Sequence, residues 1–155
     1  MDKMTTISKT TSNSTQAYSS GDVVGGKMTF DLSAIRGDKG AIELDSVVIQ
    51  DKSTQGADLD LVLFTEDIST GTTLTDNSAF APADADLANV AAVVSVTSHA
   101  AFSANGVSQA NDLKKPIKFG GPNSDMTLYG VLVSRGTPTY SGSTNELTVN
   151  LAARG

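Results

Sequence analysis

The chain of 155 residues contains no cysteine and no tryptophan, and only 5% of its residues are aromatic. Without cysteine, a disulfide framework, a thiolate zinc site and a cysteine nucleophile are excluded. The scarcity of aromatic rings leaves few stacking platforms for sugars, which disfavours the aromatic-lined cleft of a glycoside hydrolase. The stability of the fold must therefore come from packing or from assembly.

Long apolar runs and positive charge are also scarce. The longest uninterrupted apolar stretch is 90–94, far short of the ~20 residues of a membrane helix. The first 15 residues contain no apolar h-region, so we expect no secretory signal. The net charge is −6 and the pI is about 4.5, whereas nucleic-acid binding needs a basic face. The sequence therefore predicts neither a membrane nor a nucleic acid as partner.

The residues that are abundant favour β-structure. Aspartate, which is typical of turns and caps, far outnumbers glutamate, which is typical of helices. Apolar and polar residues alternate at 28–32 and 147–151, as they do in half-buried strands. The alternation in 41–51 slips by one residue, and a β-bulge near Asp45 and Ser46 would return both halves to one face.

Other segments predict central strands and the turns between them. Segments 58–64 and 125–134 are apolar on both faces, which is typical of central or covered strands. Further strands are predicted at 90–97 and 116–119, and the 65–89 segment is predicted to be a loop with one short helical turn. Turns are predicted at 37–40 and 120–123, and Asn105 and Gly106 predict a hairpin-type turn. With about eight short strands, the sequence predicts an all-β fold, an antiparallel β-sandwich of jelly-roll type, with a closed barrel as the alternative.

The N-terminal segment 1–20 differs in composition from the rest. Half of its residues are Ser or Thr, and it contains too few apolar residues to bury much surface. We interpret it as an extended arm, or as an edge strand ordered by a partner, with a disordered terminus as the alternative. Residues 21–155 are predicted to form a single β-sandwich domain.

One segment imitates a phosphate-binding loop. Residues 21–27 match the first seven positions of a P-loop, but the next residue, Met28, lacks the hydroxyl that would bind Mg²⁺. The match also opens an alternating run typical of a strand, whereas phosphate binding needs a helix N-terminus. We interpret it as a glycine-rich turn that leads into a strand.

Two groups of aspartates could offer oxygen ligands to Ca²⁺. Asp58 and Asp60 lie two residues apart on a predicted strand, and Asp84 and Asp86 lie in a loop beside Asp76. Neither group has the D-x-D-x-D-G spacing of a calcium loop. We favour solvated strand-face and capping aspartates, and predict no metal, cofactor or catalytic site.

His99 is the only histidine, and the sequence has no G-x-S-x-G nucleophile motif, so we interpret it as a surface residue at a strand end. Lys114, Lys115 and Lys118 surround Pro116. Lysine and proline on a short strand protect a sheet edge from pairing. Contact with an acidic partner is the alternative.

The predicted strands carry more apolar residues than one buried face requires. The surplus residues are Val62, Phe64, Tyr129, Val131 and Val133. Apolar residues on an outward face suggest a subunit interface. Covering of this face by the 65–89 loop or by 98–114 explains them equally well.

Four segments, 20–30, 46–64, 76–96 and 127–155, resemble small head-associated proteins of tailed bacteriophages, similar to capsid decoration (cement) proteins. The resemblance covers most of the chain and rests on general sequence texture, since such proteins share no fixed binding motif. It implies a β-rich subunit, often trimeric, that binds the outside of the major capsid protein at threefold positions. It implies neither catalysis nor a cofactor.

From this resemblance we expect a non-enzymatic structural protein on the outer capsid surface of the virion, made in the host cytoplasm. A carbohydrate- or receptor-binding sandwich of a phage tail or fibre is the alternative. We expect contacts with the capsid or with other subunits along the N-terminal segment, on the surplus apolar face and in the 76–86 loop. The predicted contact residues are Thr5, Ile7, Tyr18, Val62, Phe64, Phe80, Asp84 and Asp86, with Phe80 as an apolar anchor.

Overall fold

The chain folds into two antiparallel β-sheets that pack face to face. A computed structural model describes residues 3–35, 40–68, 71–119 and 125–155. Its elements are β1 (Met4–Thr10), β2 (Val23–Asp31), β3 (Ala41–Asp51), β4 (Leu59–Phe64), α1 (Asp84–Leu87), β5 (Val90–Val96), β6 (Ser98–Ala101), β7 (Gly106–Ala110), β8 (Lys115–Lys118), β9 (Thr127–Ser134) and β10 (Leu147–Arg154). In these ranges no helix has the length and apolar character needed to cross a membrane.

The order of the strands defines a jelly roll. The six-stranded sheet runs β1-β10-β3-β7-β6, with β8 also paired to β3, and the four-stranded sheet runs β2-β9-β4-β5. The antiparallel pairs β1–β10, β2–β9, β3–β7 and β4–β5 alternate between the sheets, as they do when one long hairpin wraps around a common core. The predicted all-β antiparallel sandwich is confirmed.

The core lies between the two sheets and is formed by alternating residues of both. The side chains of Phe30, Leu44, Ile49, Leu61, Leu128 and Val149 are fully buried there. Burial of each such side chain contributes ~1.5–3 kcal/mol. The strands predicted to be central, β4 and β9, are the two inner strands of the four-stranded sheet.

The predicted bulge in β3 is present at Asp45. Ala152 of β10 pairs with Ser46, but Ala153 pairs with Leu44, so Asp45 is one extra residue in β3. The extra residue restores the phase of the alternation. Both halves of β3 consequently bury their apolar residues in the same core.

The N-terminal segment includes a strand at the edge of the six-stranded sheet. β1 pairs with β10 along its whole length, from Met4 opposite Arg154 to Thr10 opposite Thr148. The neighbour that orders these residues is therefore β10 of the same chain.

The β6–β7 hairpin lies in 98–114, for which the sequence predicts a hairpin-type turn at Asn105 and Gly106 but no strand; the turn is present, between Ala101 and Gly106. Every residue of β6 is exposed, so the hairpin lacks the apolar alternation on which the strand predictions depend. The predicted helical turn is present as α1. The turns predicted at 37–40 and 120–123 lie outside the described residues, except for Gly40.

The segment that imitates a P-loop is the beginning of β2. Gly25 and Gly26 have positive φ angles of 84° and 81°, and the register with β9 shifts at this point. A β-carbon at Gly25 would lie 2.7 Å from Cβ of Thr11, so glycine is needed for both conformation and space. The expected strand is present and Gly21 lies in the turn before it, whereas Gly25 and Gly26 form a bulge within β2.

Candidate functional site

The β6–β7 hairpin presents an exposed aromatic side chain at its tip. The Phe102 N–H donates a hydrogen bond to the Asn105 carbonyl at 2.7 Å, which closes the turn at 103–104. A β-carbon at Gly106 would lie 2.8 Å from the Ala100 carbonyl oxygen. Phe102 is 59% exposed, whereas the other aromatic residues in the described ranges are buried or half-buried.

A chain of hydrogen bonds braces this hairpin against the other sheet. His99 on β6 places Nδ1 2.7 Å from the Ser108 hydroxyl on β7 and Nε2 2.8 Å from Oδ1 of Asp58, just before β4. Because a carboxylate only accepts hydrogen bonds, Nε2 is the donor to Asp58. The histidine therefore links both strands of the hairpin to the four-stranded sheet.

The same three residues are those of a Ser-His-Asp catalytic triad. Ser108, however, is only 4% exposed and lies between β3 and β6, opposite Ile49 on one side and His99 on the other. Acyl transfer also needs free N–H donors aimed at the oxyanion, and pairing on both sides engages the backbone of β7. The geometry favours a bracing role for His99.

The predicted aspartate groups do not assemble into an ion site. Asp60 accepts hydrogen bonds from Arg135 at 2.7 Å and from Ser95 at 2.9 Å, so it is held separately from Asp58. Asp84 is exposed, whereas Asp86 is buried and accepts a hydrogen bond from Thr72. Among the described residues, no three His, Asp or Glu side chains are grouped to hold a metal ion.

Two carboxylates, those of Asp51 and Glu146, hold loops of the sandwich in place by hydrogen bonds. Asp51 accepts hydrogen bonds from the backbone N–H groups of Ser53 and Gln55, at 2.8 and 2.7 Å. Glu146 accepts hydrogen bonds from the hydroxyls of Ser53 and Ser143, at 2.6 and 2.7 Å. These bonds stabilise the charged form and hold the pKa of the Glu146 carboxyl below its usual value.

Tyr18 ties the N-terminal segment to the 65–89 loop. Its hydroxyl donates to Asp76 at 2.7 Å and accepts from the Ser14 N–H at 2.6 Å. Asp76 also accepts from the Gly25 N–H at 2.6 Å. Burial, reinforced by the hydrogen bond to Asp76, raises the pKa of the Tyr18 hydroxyl far above its usual range. Most polar groups named here thus make hydrogen bonds within the chain.

The 65–89 loop covers the outer face of the four-stranded sheet. Val62 and Phe64 are 7% and 1% exposed. They form a second apolar cluster with Val23, Val131 and Val133. Ile68, Leu74, Phe80, Val90 and Tyr129 pack against this cluster. Of the two explanations for the surplus apolar residues, covering by the chain's own loop is the one the structure contains, so Val62 and Phe64 are not available as contacts.

The eight predicted contact residues do not form one surface. Only Asp84 is exposed, and Thr5, Ile7 and Phe80 are half-buried. The buried residues are Tyr18, Asp86 and, beneath the 65–89 loop, Val62 and Phe64. Phe80 packs into the second apolar cluster and does not protrude as an anchor. The protruding aromatic is Phe102, which sequence reasoning missed because a single phenylalanine in a polar segment carries no periodic signal.

Comparison with known proteins adds no closer classification. No protein-family model matches the chain, and no curated protein matches its sequence. The class that the fold defines is an all-β jelly-roll sandwich, with one hairpin that presents an exposed aromatic residue.

Proposed function

We propose that this chain is a decoration subunit that binds the outside of an assembled bacteriophage capsid and stabilises it without catalysis. Its partner is the major capsid protein, its location is the outer surface of the virion, and its copies form trimers on the shell. The proposal rests on the sequence resemblance described above and on one structural observation, the braced hairpin that ends in Phe102.

The hairpin has the properties of a surface anchor. Aromatic side chains are enriched among the residues that dominate binding energies at protein interfaces. The bonds of His99 to Asp58 and Ser108 fix the hairpin before binding, which lowers the entropy lost on association. These features favour docking on another protein over binding of a small ligand in a cleft.

The net charge of the chain and the many equivalent binding sites on a symmetric shell also suit this function. A net charge of −6 keeps the protein soluble and disfavours contact with packaged nucleic acid. A subunit that binds only the assembled shell stabilises it by mass action. Many modest contacts repeated over a symmetric surface give tight overall binding.

The first test is quantitative mass spectrometry of particles purified from the culture that produces this chain. We expect a ratio to the major coat protein of about one, or a simple fraction of it. A ratio of a few per cent would replace the proposal with the alternative, a tail or fibre module that binds a receptor or carbohydrate. Absence from the particle would overturn both.

The second test concerns the hairpin itself. Purified protein is mixed with undecorated shells from the same phage, and the bound fraction is measured after sedimentation. We expect Phe102→Ser to weaken binding at least tenfold, whereas Ala104→Ser at the same tip leaves it unchanged. Equal binding by the two variants would contradict the anchor role of Phe102.

A further inference from the structure

The ring of Phe102 lies on the outer face of the six-stranded sheet. His99 on β6 and Ser108, opposite it on β7, point towards the four-stranded sheet, since His99 bonds to Asp58 there. Successive residues of a strand point to opposite faces. The hydrogen bond from Phe102 to Asn105 continues the β6–β7 pairing by one step. Phe102, three residues after His99, therefore points outward.

A second exposed apolar side chain lies on the same face, at the opposite edge of the sheet. Met4 on β1 is 43% exposed and is opposite Arg154 of β10. Arg154 points outward, because its neighbour Ala153 is buried in the core. Directly opposed residues share a face, so Met4 points outward too. Because β1 and β6 end the sheet, a methionine and a phenylalanine flank its outer face.

Between these two edges, two complete rows of side chains are uncharged. One row crosses the five strands of the main path and consists of Thr10, Thr148, Gln50, Val107 and Ala100. The adjacent row, which runs from Ser8 to Ser98, is also uncharged. At the end beside Met4, the charge of Arg154 is paired with Glu43 and Asp45.

Cross-strand hydrogen bonds fix several of these side chains before any binding. The Ser8 hydroxyl donates to Oδ1 of Asn150, and Nδ2 of Asn150 donates to the Val48 carbonyl at 3.2 Å. The hydroxyls of Thr10 and Thr148 are 3.0 Å apart. Side chains that are ordered in advance lose less entropy on association.

We propose that this outer face, from Met4 to Phe102, lies against the capsid shell, so that the 65–89 loop on the other sheet points away from the shell. The inference rests on the proposed function and adds the orientation of the bound chain. Aromatic residues and methionine are enriched at protein interfaces, whereas Lys, Glu and Asp are depleted. The face continues from the Phe102 anchor across the whole sheet, so one flat partner surface can contact both of its apolar edges.

The size of the face favours a shell over a second copy as the occupant. Two rows of five side chains, ~4.8 Å apart across the strands and ~6.8 Å apart along them, cover roughly 300 Å². Even with Met4 and Phe102 added, this area is well below the ~800 Å² per partner of a stable pair. A symmetric shell offers the same weak contact many times, and the repetition supplies the stability.

Labelling of single cysteines tests the orientation, because the chain has no cysteine of its own. Gln109→Cys places a thiol on the outer face, and Thr29→Cys places one at an exposed position of β2 in the other sheet. Each variant reacts with a maleimide, first free and then bound to undecorated shells of the same phage. Shell binding should slow the labelling of Gln109→Cys at least tenfold and leave that of Thr29→Cys unchanged.

The outcomes separate this inference from the proposed function, since sedimentation shows whether each variant is bound. If both variants bind but Gln109→Cys reacts as fast as in the free protein, or Thr29→Cys is protected, the orientation is wrong and decoration stands. If the unmodified chain does not bind shells, the proposed function fails and the orientation fails with it.

A matched pair of substitutions tests the β1 edge of the face. Met4→Ser and Val93→Ser remove apolar side chains of similar exposure, 43% and 48%. Val93 lies opposite Val62 on the outer side of the other sheet. In the sedimentation assay, Met4→Ser should weaken shell binding several-fold, whereas Val93→Ser should leave it unchanged. Circular dichroism checks that both variants are folded. Equal binding by the two folded variants would overturn a docking face that reaches β1.

Discussion

The α-carbon of Gly130 faces the ring of Phe30 so closely that a β-carbon on it would lie 2.9 Å from Cε2 of the ring. Both residues are buried, Gly130 in the inner strand β9 and Phe30 in the neighbouring strand β2. Leu61 and Leu63 of β4 would also contact the added carbon, at 3.3 and 3.4 Å. The glycine therefore makes room for a phenylalanine in the middle of the core.

Replacement of Gly130 by alanine should destabilise the protein. An extra carbon in a filled core displaces its neighbours, at a cost of ~1–3 kcal/mol in the free energy of unfolding. Gly136→Ala is the control, since its new carbon would meet only Ala57, at an ordinary 3.9 Å. Urea denaturation measures both variants, and equal midpoints for the two would contradict the crowding at Gly130.

Replacement of Tyr18 by phenylalanine should also lower stability. The variant removes the donor to Asp76 and the acceptor for the Ser14 N–H, and unsatisfied partners cost ~1–3 kcal/mol. Tyr140→Phe is matched to it, because Tyr140 is equally buried and packs edge-on against Tyr18. Within the described residues its hydroxyl makes no hydrogen bond, so Tyr140→Phe should have the smaller effect on the urea midpoint.

Glu146 should contribute to a loss of stability in acid. The hydroxyls of Ser53 and Ser143 lower its pKa in the folded state. The charged carboxylate then contributes fully to the free energy of unfolding above about pH 4.5, the ordinary value for glutamate, and this contribution is lost as the pH falls through the lower folded-state pKa. Glu146→Gln should flatten the decrease in unfolding free energy below about pH 4.5. An unchanged slope in urea titrations would contradict this role.

Removal of the His99 side chain should loosen the hairpin locally. His99→Ala breaks the bonds to Asp58 and Ser108, and a loss of ~1–2 kcal/mol corresponds to about a 5- to 30-fold faster opening. Hydrogen exchange should accelerate in β6 and β7. Ser95→Ala, which breaks a bond to Asp60 in the other sheet, should leave the exchange of β6 and β7 unchanged. Unchanged exchange in His99→Ala would contradict the brace.

The sandwich could be predicted where residues repeat with a period of two. The slip of phase in 41–51 located the bulge at Asp45 because a shift of one residue would otherwise turn Leu44 and Val47 to opposite faces. Of the β6–β7 hairpin, the turn could be predicted from Asn105 and Gly106, but its strands could not. Both faces of β6 are exposed, so its sequence shows no alternation.

The candidate site depends on contacts between residues far apart in sequence. Asp58 and His99 are 41 positions apart, and no local pattern links them. The loop that covers the outer face of the four-stranded sheet could be predicted only in part, for the same reason. Val62 and Phe64 indicated that something covers the sheet, but Ile68, Leu74 and Phe80 are isolated apolar residues in a polar loop.

The covering of the four-stranded sheet by the 65–89 loop makes this sheet the middle of three layers. Two apolar cores of unequal size share it, a large one between the sheets and a small one beneath the loop. Regions with fewer buried contacts open at a lower free energy than the whole protein. The molecule should therefore unfold as two cooperative units, in which the loop layer opens first while the jelly roll persists, so that limited proteolysis cuts within 65–89 before any strand is lost.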